Sequence, residues 1–207
     1  MRTLVTAAIL LFGGRAGADF SYPLDAVSRN VVGTAHCPEV ELTTYAGSAI
    51  HYQKPTKIYV GFAASLRGFE EIARDTAVEV YGRAPRRLRH LGTYSCRAVR
   101  GIRSLLSEHA LGNAIDVEGF DFGPAPRGSR PPPGLRGAFS VRVERHWNGH
   151  AGVAALHARF LRLVAERTIA HSELFRVVLG PSYPGHKNHF HLDLAPYRLV
   201  DVFDDTR

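Results

Sequence analysis

The chain has 207 residues, of which 45% are hydrophobic, so it suits one folded domain and leaves no room for a second. Its formal net charge of +7 favours a polyanionic setting. The basic residues are dispersed apart from runs at 83–89 and 97–103, and no nucleic-acid-binding motif is visible, so we expect no nucleic-acid partner.

The amino end has the pattern of a cleaved secretory signal. A basic start precedes an apolar run over residues 4–12, and residues 16–18 are the small side chains that a signal peptidase reads. The apolar run is too short to span a bilayer. We predict a signal peptide over 1–18 and a mature domain over 19–207 that is periplasmic or secreted, with no stable membrane insertion.

Cysteine occurs at two positions, Cys37 and Cys96. In an oxidising compartment an isolated pair is more often a disulfide than a metal site or a nucleophile. A bridge would close a loop of about sixty residues, worth on the order of 4 kcal/mol in the chain-entropy model. It would also tie the segment after the signal to the loop that carries Arg97. A nucleophilic Cys96 is the open alternative.

Hydrophobic periodicity predicts two amphipathic helices, 62–81 with Gly82 as its stop, and 151–169. Short alternating or apolar runs predict strands at 87–94, 114–117, 139–143, 175–179 and 189–194. We therefore expect an α+β fold, a single domain in which a small antiparallel sheet carries the metal ligands and helices flank it.

Two further segments are expected to be irregular. Residues 122–137 are rich in Gly, Pro and Arg and lack periodicity, so we predict a loop between strands that borders the cleft. The tail from Pro196 is short and acidic at Asp204-Asp205, and we expect it to fray.

The chemistry lies in two stretches, one with His109 and Asp116 and one with His189 and His191. Side chains two apart in a strand share a face, so His189 and His191 can look into one cavity. His109 and Asp116 are too far apart in a straight helix or strand to reach one ion, so the chain has to turn at 111–113. Two imidazoles and a carboxylate are ligands of hydrolytic zinc sites, in which a fourth position is open to water.

The pattern Ser-x-His-x-x-Gly-x-Ala-x-Asp followed by His-x-His resembles the zinc peptidases that cut peptidoglycan stems. These are the D-Ala-D-Ala carboxypeptidases, the D-Ala-D-Ala dipeptidases and the penicillin-insensitive murein endopeptidases. More closely, LGTYSCR at 91–97, SEHALGNAIDVEGF at 107–120, VLGP at 178–181 and HFHLD at 189–193 are similar to the bacterial extensin-like family. The resemblance covers about residues 35–195.

The resemblance implies a role for each matched residue. His109, Asp116 and His191 stand where these peptidases hold Zn²⁺, and His189 stands where a residue assists the attacking water. Arg97 falls near the arginine that polarises the scissile carbonyl or clamps a substrate carboxylate, although Tyr-Ser-Cys-Arg departs from the usual Tyr-Arg-Ser. Peptidoglycan peptides are the implied partner, with endopeptidase activity preferred over carboxypeptidase activity.

Other polar residues near these stretches have different expected places. Asp193 shares the strand face of the His-x-His pair and is placed to orient one of those histidines through its second ring nitrogen. His186 competes for the same cavity, and we favour a position at the rim. Glu108 points away from the site if its segment is extended. His146 and His150, in the run Arg-His-Trp-Asn-Gly-His, are expected to be solvated loop residues.

Two other functions stay open. A wall-binding or structural module would keep the metal for folding only, with His186 or another side chain filling the fourth coordination position. A zinc amidase would instead cleave at the lactyl link between the sugar and the peptide.

Overall fold

The structure is a computed structural model that describes residues 22–204. The signal peptide predicted over 1–18 lies outside the described residues. Within residues 22–204, no helix is both long and apolar enough to cross a bilayer.

Two long helices pack on each other and on the main sheet. Helix α1 spans Ala63–Tyr81 and ends at Gly82, whose φ of 68° gives the left-handed cap predicted there. A single turn, α2, spans Val143–His146, and α3 spans Gly152–Ala170. Phe69 of α1 and Phe160 of α3 both contact Phe120 of the sheet, with ring centroids 6.5 and 5.3 Å away. The apolar faces of both helices therefore cover one side of the sheet.

The described part of the chain contains ten strands: β1 Leu42–Tyr45, β2 Thr56–Tyr59, β3 Arg87–Gly92, β4 Ala98–Val99, β5 Ile102–Leu106, β6 Ala114–Phe122, β7 Phe139–Arg142, β8 Val177–Leu179, β9 Phe190–Asp193 and β10 Leu199–Asp201. The main sheet has the order β10-β8-β9-β6-β3, and β7 pairs with the far half of β6. Strands β1 and β2 form one separate hairpin, and β4 and β5 form another. Three single turns of 3₁₀ helix complete the regular structure, Pro23–Ala26, Val60–Phe62 and Glu108–Leu111.

The α+β prediction is confirmed, and the predicted helices and strands are present with boundaries shifted by a few residues. The expected fraying of the tail is wrong. Strand β10 pairs in parallel with β8, and Val202 beyond it is only 1% exposed. Within the described residues of the tail, 196–204, the chain is ordered around β10 because the outer edge of β8 offers unpaired backbone groups to it.

The predicted disulfide is present between Cys37 and Cys96, with Cα atoms 5.8 Å apart. It joins the segment before β1 to the loop that leads into β4. Because Cys96 is bonded to Cys37, the alternative of a nucleophilic thiol at Cys96 is wrong.

Candidate functional site

The three predicted metal ligands meet where β6 pairs with β9. Asp116 lies directly opposite His191 in this antiparallel pair, and the 3₁₀ turn just before β6 carries His109. Asp116 Oδ1 is 2.9 Å from His191 Nδ1 and 3.2 Å from His109 Nε2. One ligand atom from each residue lies within 4.8 Å of the others. The two distant stretches of sequence therefore converge on one point.

The turn before β6 explains the spacing between His109 and Asp116. Ser107 begins it, and its hydroxyl oxygen accepts the His109 backbone N–H at 3.3 Å. Gly112 ends it with a φ of 64°, and its carbonyl accepts the Tyr59 N–H at 2.8 Å. A Cβ at Gly112 would lie 2.8 Å from the Tyr59 nitrogen, so only glycine fits here. His109 thus sits on a tight turn packed against β2.

Each of the two histidines in this cluster, His109 and His191, has a hydrogen-bond acceptor on the side of its ring that faces away from Asp116. His109 Nδ1 lies 3.0 Å from the backbone carbonyl of Thr93, which is 1% exposed and whose hydroxyl donates to the Lys57 carbonyl at 2.6 Å. His191 Nε2 lies 2.8 Å from Oδ2 of Asp193. Asp193 therefore takes the position expected of it, behind His191. Such outer contacts fix the orientation and the tautomer of a metal-binding imidazole.

The hydrogen bonds around His109 and His191 indicate that positive charge is required between these rings and Asp116. A carbonyl oxygen can only accept, so a neutral His109 ring carries its proton on Nδ1 and turns the Nε2 lone pair toward Asp116, and only a protonated ring can donate to that carboxylate. By the same reasoning, a neutral His191 ring would turn its Nδ1 lone pair toward the same carboxylate oxygen. Three acceptors that face one another need positive charge between them, either as imidazole protons or as a cation. Two imidazole nitrogens and a carboxylate oxygen fit a divalent ion such as zinc.

The titration of these groups reflects the same arrangement. Burial disfavours the charged form of His191, but hydrogen bonds to Asp116 and Asp193 outweigh it and raise the pKa of His191 to about 10. Burial also acts to raise the pKa of Asp116, yet hydrogen bonds from His109 and His191 hold it well below its usual range. Without a metal, a proton on His191 supplies the positive charge.

His189 lies beside the three-residue cluster and is not part of it. Its Nδ1 donates to the side-chain oxygen of Asn188 at 2.8 Å, which leaves Nε2 as a lone pair 3.5 Å from Asp116 Oδ1. Burial is the main cause that lowers the pKa of His189 to about 4. The ring is therefore neutral at pH 7 and can accept a proton.

His186 stands further out, in the loop ahead of β9. Its ring centroid is 4.7 Å from that of His189 and 5.7 Å from that of His191, and its Nδ1 lies 3.1 Å from the Pro184 carbonyl. It is half-buried and outside the cluster of ligand atoms. This agrees with the expected position at the rim.

The cluster opens into a cleft of about 830 Å³. Its lining includes Arg97, just before β4, and Arg100 in the β4–β5 turn, both with exposed side chains, together with Tyr183, Tyr197 and Leu199. Hydrogen bonds from Ser95 to the His109 carbonyl and from Ser107 to the Arg97 carbonyl join the Arg97 loop to the ligand turn. Arg97 therefore lines the cleft, but among the described residues no hydrogen bond or ion pair links its side chain to the ligands.

Some expectations about the surroundings are wrong. The loop over 122–137 contributes nothing to the cleft and lines a separate cavity of about 80 Å³ beside the end of α1. His146 is half-buried on α2, where its Nδ1 accepts the Arg142 N–H at 2.9 Å and its ring packs on His157. His150 is exposed, as expected.

Sequence reasoning missed how the ligand turn is anchored. Glu108 stays outside the ligand cluster as expected, but it is buried and bound by Arg29, with Nε–Oε1 at 2.8 Å and Nη2–Oε2 at 3.2 Å. Asn113 adds a hydrogen bond to Glu108 at 2.6 Å. No signal in the sequence pointed to this pair, because residues 106–114 mix polar and apolar side chains and only the structure shows that the whole run is buried.

The pattern of the family described as "Extensin-like protein C-terminus" matches residues 18–202. Comparisons with curated proteins and with solved structures found no match.

Proposed function

The chain belongs to the extensin-like C-terminus family, and from this premise and the geometry at Asp116 we propose that it is an exported zinc-dependent peptidase. Its proposed substrates are the amide bonds of peptidoglycan stem peptides or their cross-links, with endopeptidase activity preferred over carboxypeptidase activity. One observation carries the proposal. Two imidazole nitrogens, each with its partner nitrogen already hydrogen-bonded, face one carboxylate oxygen at the base of an open cleft.

The donor set supports a catalytic site more than a purely structural one. His109, Asp116 and His191 would hold the ion through three atoms, and hydrolytic zinc sites with three protein ligands keep a fourth position for water. A bound zinc ion supplies Lewis acidity that lowers the pKa of such a water from ~15.7 toward ~7.

His189 is the group placed to move protons. Its Nε2 lone pair lies beside the ligand cluster, and the ring is neutral at pH 7 because burial lowers its pKa. In the proposed reaction His189 accepts the proton of the attacking water and donates it to the leaving amine. The Asn188 side chain fixes the orientation of the ring for both steps.

The cleft suits a peptide that bears carboxylates. Arg97 and Arg100 give one wall positive charge, and the exposed Ile102 and Tyr197 offer apolar surface nearby. Stem peptides combine free carboxylates with small side chains, so they match both features. The identity of the substrate rests on the motif resemblance, whereas the proposed ligands rest on the geometry.

A non-catalytic module with a closed metal site is the second candidate. The observation that favours it is the half-buried His186, whose ring is 5.7 Å from that of His191. If His186 fills the fourth position, His186→Ala lowers zinc content as strongly as His109→Ala does. For the peptidase, His186→Ala keeps its zinc.

The direct test is digestion of purified wall fragments by the zinc-loaded protein, followed by mass analysis of the products. We expect cleavage between amino acids that stops with a chelator and returns when zinc is added back. Products cleaved at the lactyl link would identify an amidase. Intact fragments after incubation with fully zinc-loaded protein would exclude the hydrolase.

Substitutions assign the roles within the site. His109→Ala and Asp116→Ala are expected to lose zinc and activity together. His189→Ala is expected to keep zinc while turnover falls by roughly 10²–10⁴-fold, the usual contribution of a general acid–base. The exposed His150 provides a matched control, since His150→Ala removes an imidazole away from the cleft. Equal zinc loss in His189→Ala would show that His189 is a ligand.

A further inference from the structure

A second arginine-rich region lies at the far end of β6 from the cleft. It combines the turn after α1 with the loop between β6 and β7. Arg83 joins the two, because its Nη2 donates to the carbonyls of Leu135 and Gly137 at 2.7 and 3.0 Å. Six residues of strand separate Asp116 from Phe122, so this region is roughly 20 Å from the ligand cluster.

We call this surface the basic corner and define it by Arg83 and five exposed arginines around it, Arg86, Arg87, Arg127, Arg130 and Arg136. Within residues 22–204 none of the five joins an ion pair. The nearby carboxylates are already paired, since Glu118 and Asp121 bind Arg89 and Arg142. The basic corner therefore presents positive charge without neutralising partners.

Arg83 indicates that an anion belongs here. It is 8% exposed, and its guanidinium lies 4.8 Å from the Phe139 ring centroid. Its Nε and Nη1 are buried without a hydrogen-bond partner among the described residues. A buried charge is normally paired, because leaving it unpaired is costly. Arg83, Ser129 and Arg130 also line the cavity of about 80 Å³.

We propose that the basic corner binds the phosphate headgroups of an anionic lipid bilayer. The arginines come from two chain segments and need several separate anions, and lipid headgroups can redistribute laterally to meet them. No large hydrophobic side chain is exposed in 82–87 or 123–138, so the contact is electrostatic and involves no insertion. Binding at this end would leave the cleft free, about 20 Å away. The inference is independent of the proposed peptidase activity.

The test is sedimentation of the purified protein with vesicles of phosphatidylcholine, with and without phosphatidylglycerol. Arg86→Gln/Arg130→Gln is compared with Arg67→Gln/Arg103→Gln, a matched control that removes the same charge from exposed positions outside the basic corner. Circular dichroism confirms that each variant is folded.

We expect binding only to vesicles that contain phosphatidylglycerol, and binding that weakens as salt rises. Each arginine near an anionic surface strengthens binding roughly five-fold, so the basic-corner variant should bind about 30-fold more weakly. The control should change by about two-fold at most, since its charges lie outside the basic corner and charges further than about 10 Å from the membrane surface are largely screened. Equal losses in both variants, equal binding to pure phosphatidylcholine, or no vesicle binding would overturn the proposal. The proposal would also be overturned if the protein bound a soluble polyanion such as heparin through Arg86 and Arg130 but did not bind vesicles.

Discussion

The Nε2 atom of His191 lies 2.8 Å from Oδ2 of Asp193, on the side of the ring that faces away from Asp116. The two residues are two positions apart on β9, so their side chains share one face of the strand. Asp193 cannot rotate away easily, because it is buried and its other oxygen accepts the Ala195 N–H at 2.8 Å. The carboxylate thus fixes the ring of His191 and makes it more basic.

Asp193→Asn is therefore expected to weaken zinc binding by about 10–100-fold, the usual effect of losing such an outer contact. The neutral amide also removes a negative charge beside His191, so the pKa of that ring should fall below about 10. Competition with a chromophoric chelator measures the affinity, and NMR titration of the metal-free protein measures the pKa.

The control for this prediction is Asp75→Asn, which neutralises an exposed carboxylate that pairs with Arg74 on α1. It should leave zinc affinity and the pKa of His191 unchanged. If Asp193→Asn binds zinc as tightly as the wild-type protein, then Asp193 does not support the metal site.

Zinc binding should release at least one proton at neutral pH. The pKa of His191 is raised to about 10, so the metal-free ring is charged at pH 7 and has to lose its proton to become a ligand. Affinity should consequently rise about tenfold per pH unit between pH 6 and 8. Isothermal titration calorimetry in buffers of different ionisation enthalpy counts the released protons. An affinity that is flat over this range would contradict the assignment of His191 as a ligand.

The buried pair of Arg29 and Glu108 should control the stability of the ligand turn. Arg29→Met leaves the Glu108 carboxylate buried, with Asn113 as its one remaining side-chain partner within residues 22–204, and removing one member of such a pair costs about 3–5 kcal/mol. Urea unfolding measures the loss. The comparison is Arg74→Met, which breaks a solvent-screened pair on α1 and should cost much less unfolding free energy than Arg29→Met. Similar losses in the two variants would mean that Glu108 does not anchor the turn.

The sequence could predict which side chains meet at the candidate metal site, because their chemistry is carried by side chains at fixed spacing. His109, Asp116 and His191 converge as expected, and Asp193 could be placed by the two-residue period of a strand. The contact behind His109 could not be predicted, because it uses the backbone carbonyl of Thr93, a group that every residue has.

In the fold as well, features set by neighbouring residues could be predicted from the sequence, whereas contacts between distant residues could not. Helix α1 could be predicted from its apolar period and from Gly82, both of which are local signals. Strand β10 has three residues, partly exposed and without alternation, and it forms only because β8 leaves an edge to pair with. The partner of Glu108 is equally distant, since Arg29 precedes it by 79 positions.

Gly112→Ala should damage both the fold and the metal site, whereas Gly82→Ala should affect the fold alone. Both glycines have positive φ, 64° and 68°, so each substitution costs about 1–2 kcal/mol in backbone strain. At Gly82 an added Cβ meets no atom within 4 Å, but at Gly112 it would lie 2.8 Å from the backbone nitrogen of Tyr59. Strand β2 would then have to move, and with it the Lys57 carbonyl that holds Thr93 behind His109.

For Gly112→Ala we therefore expect a larger loss of unfolding free energy than for Gly82→Ala. The difference should be about 1–3 kcal/mol and comes from overpacking. We also expect weaker zinc binding in Gly112→Ala and wild-type zinc binding in Gly82→Ala. Urea unfolding and chelator competition on the two proteins measure both quantities. Equal stabilities together with equal zinc affinities would show that the close approach of Gly112 to β2 does not position His109.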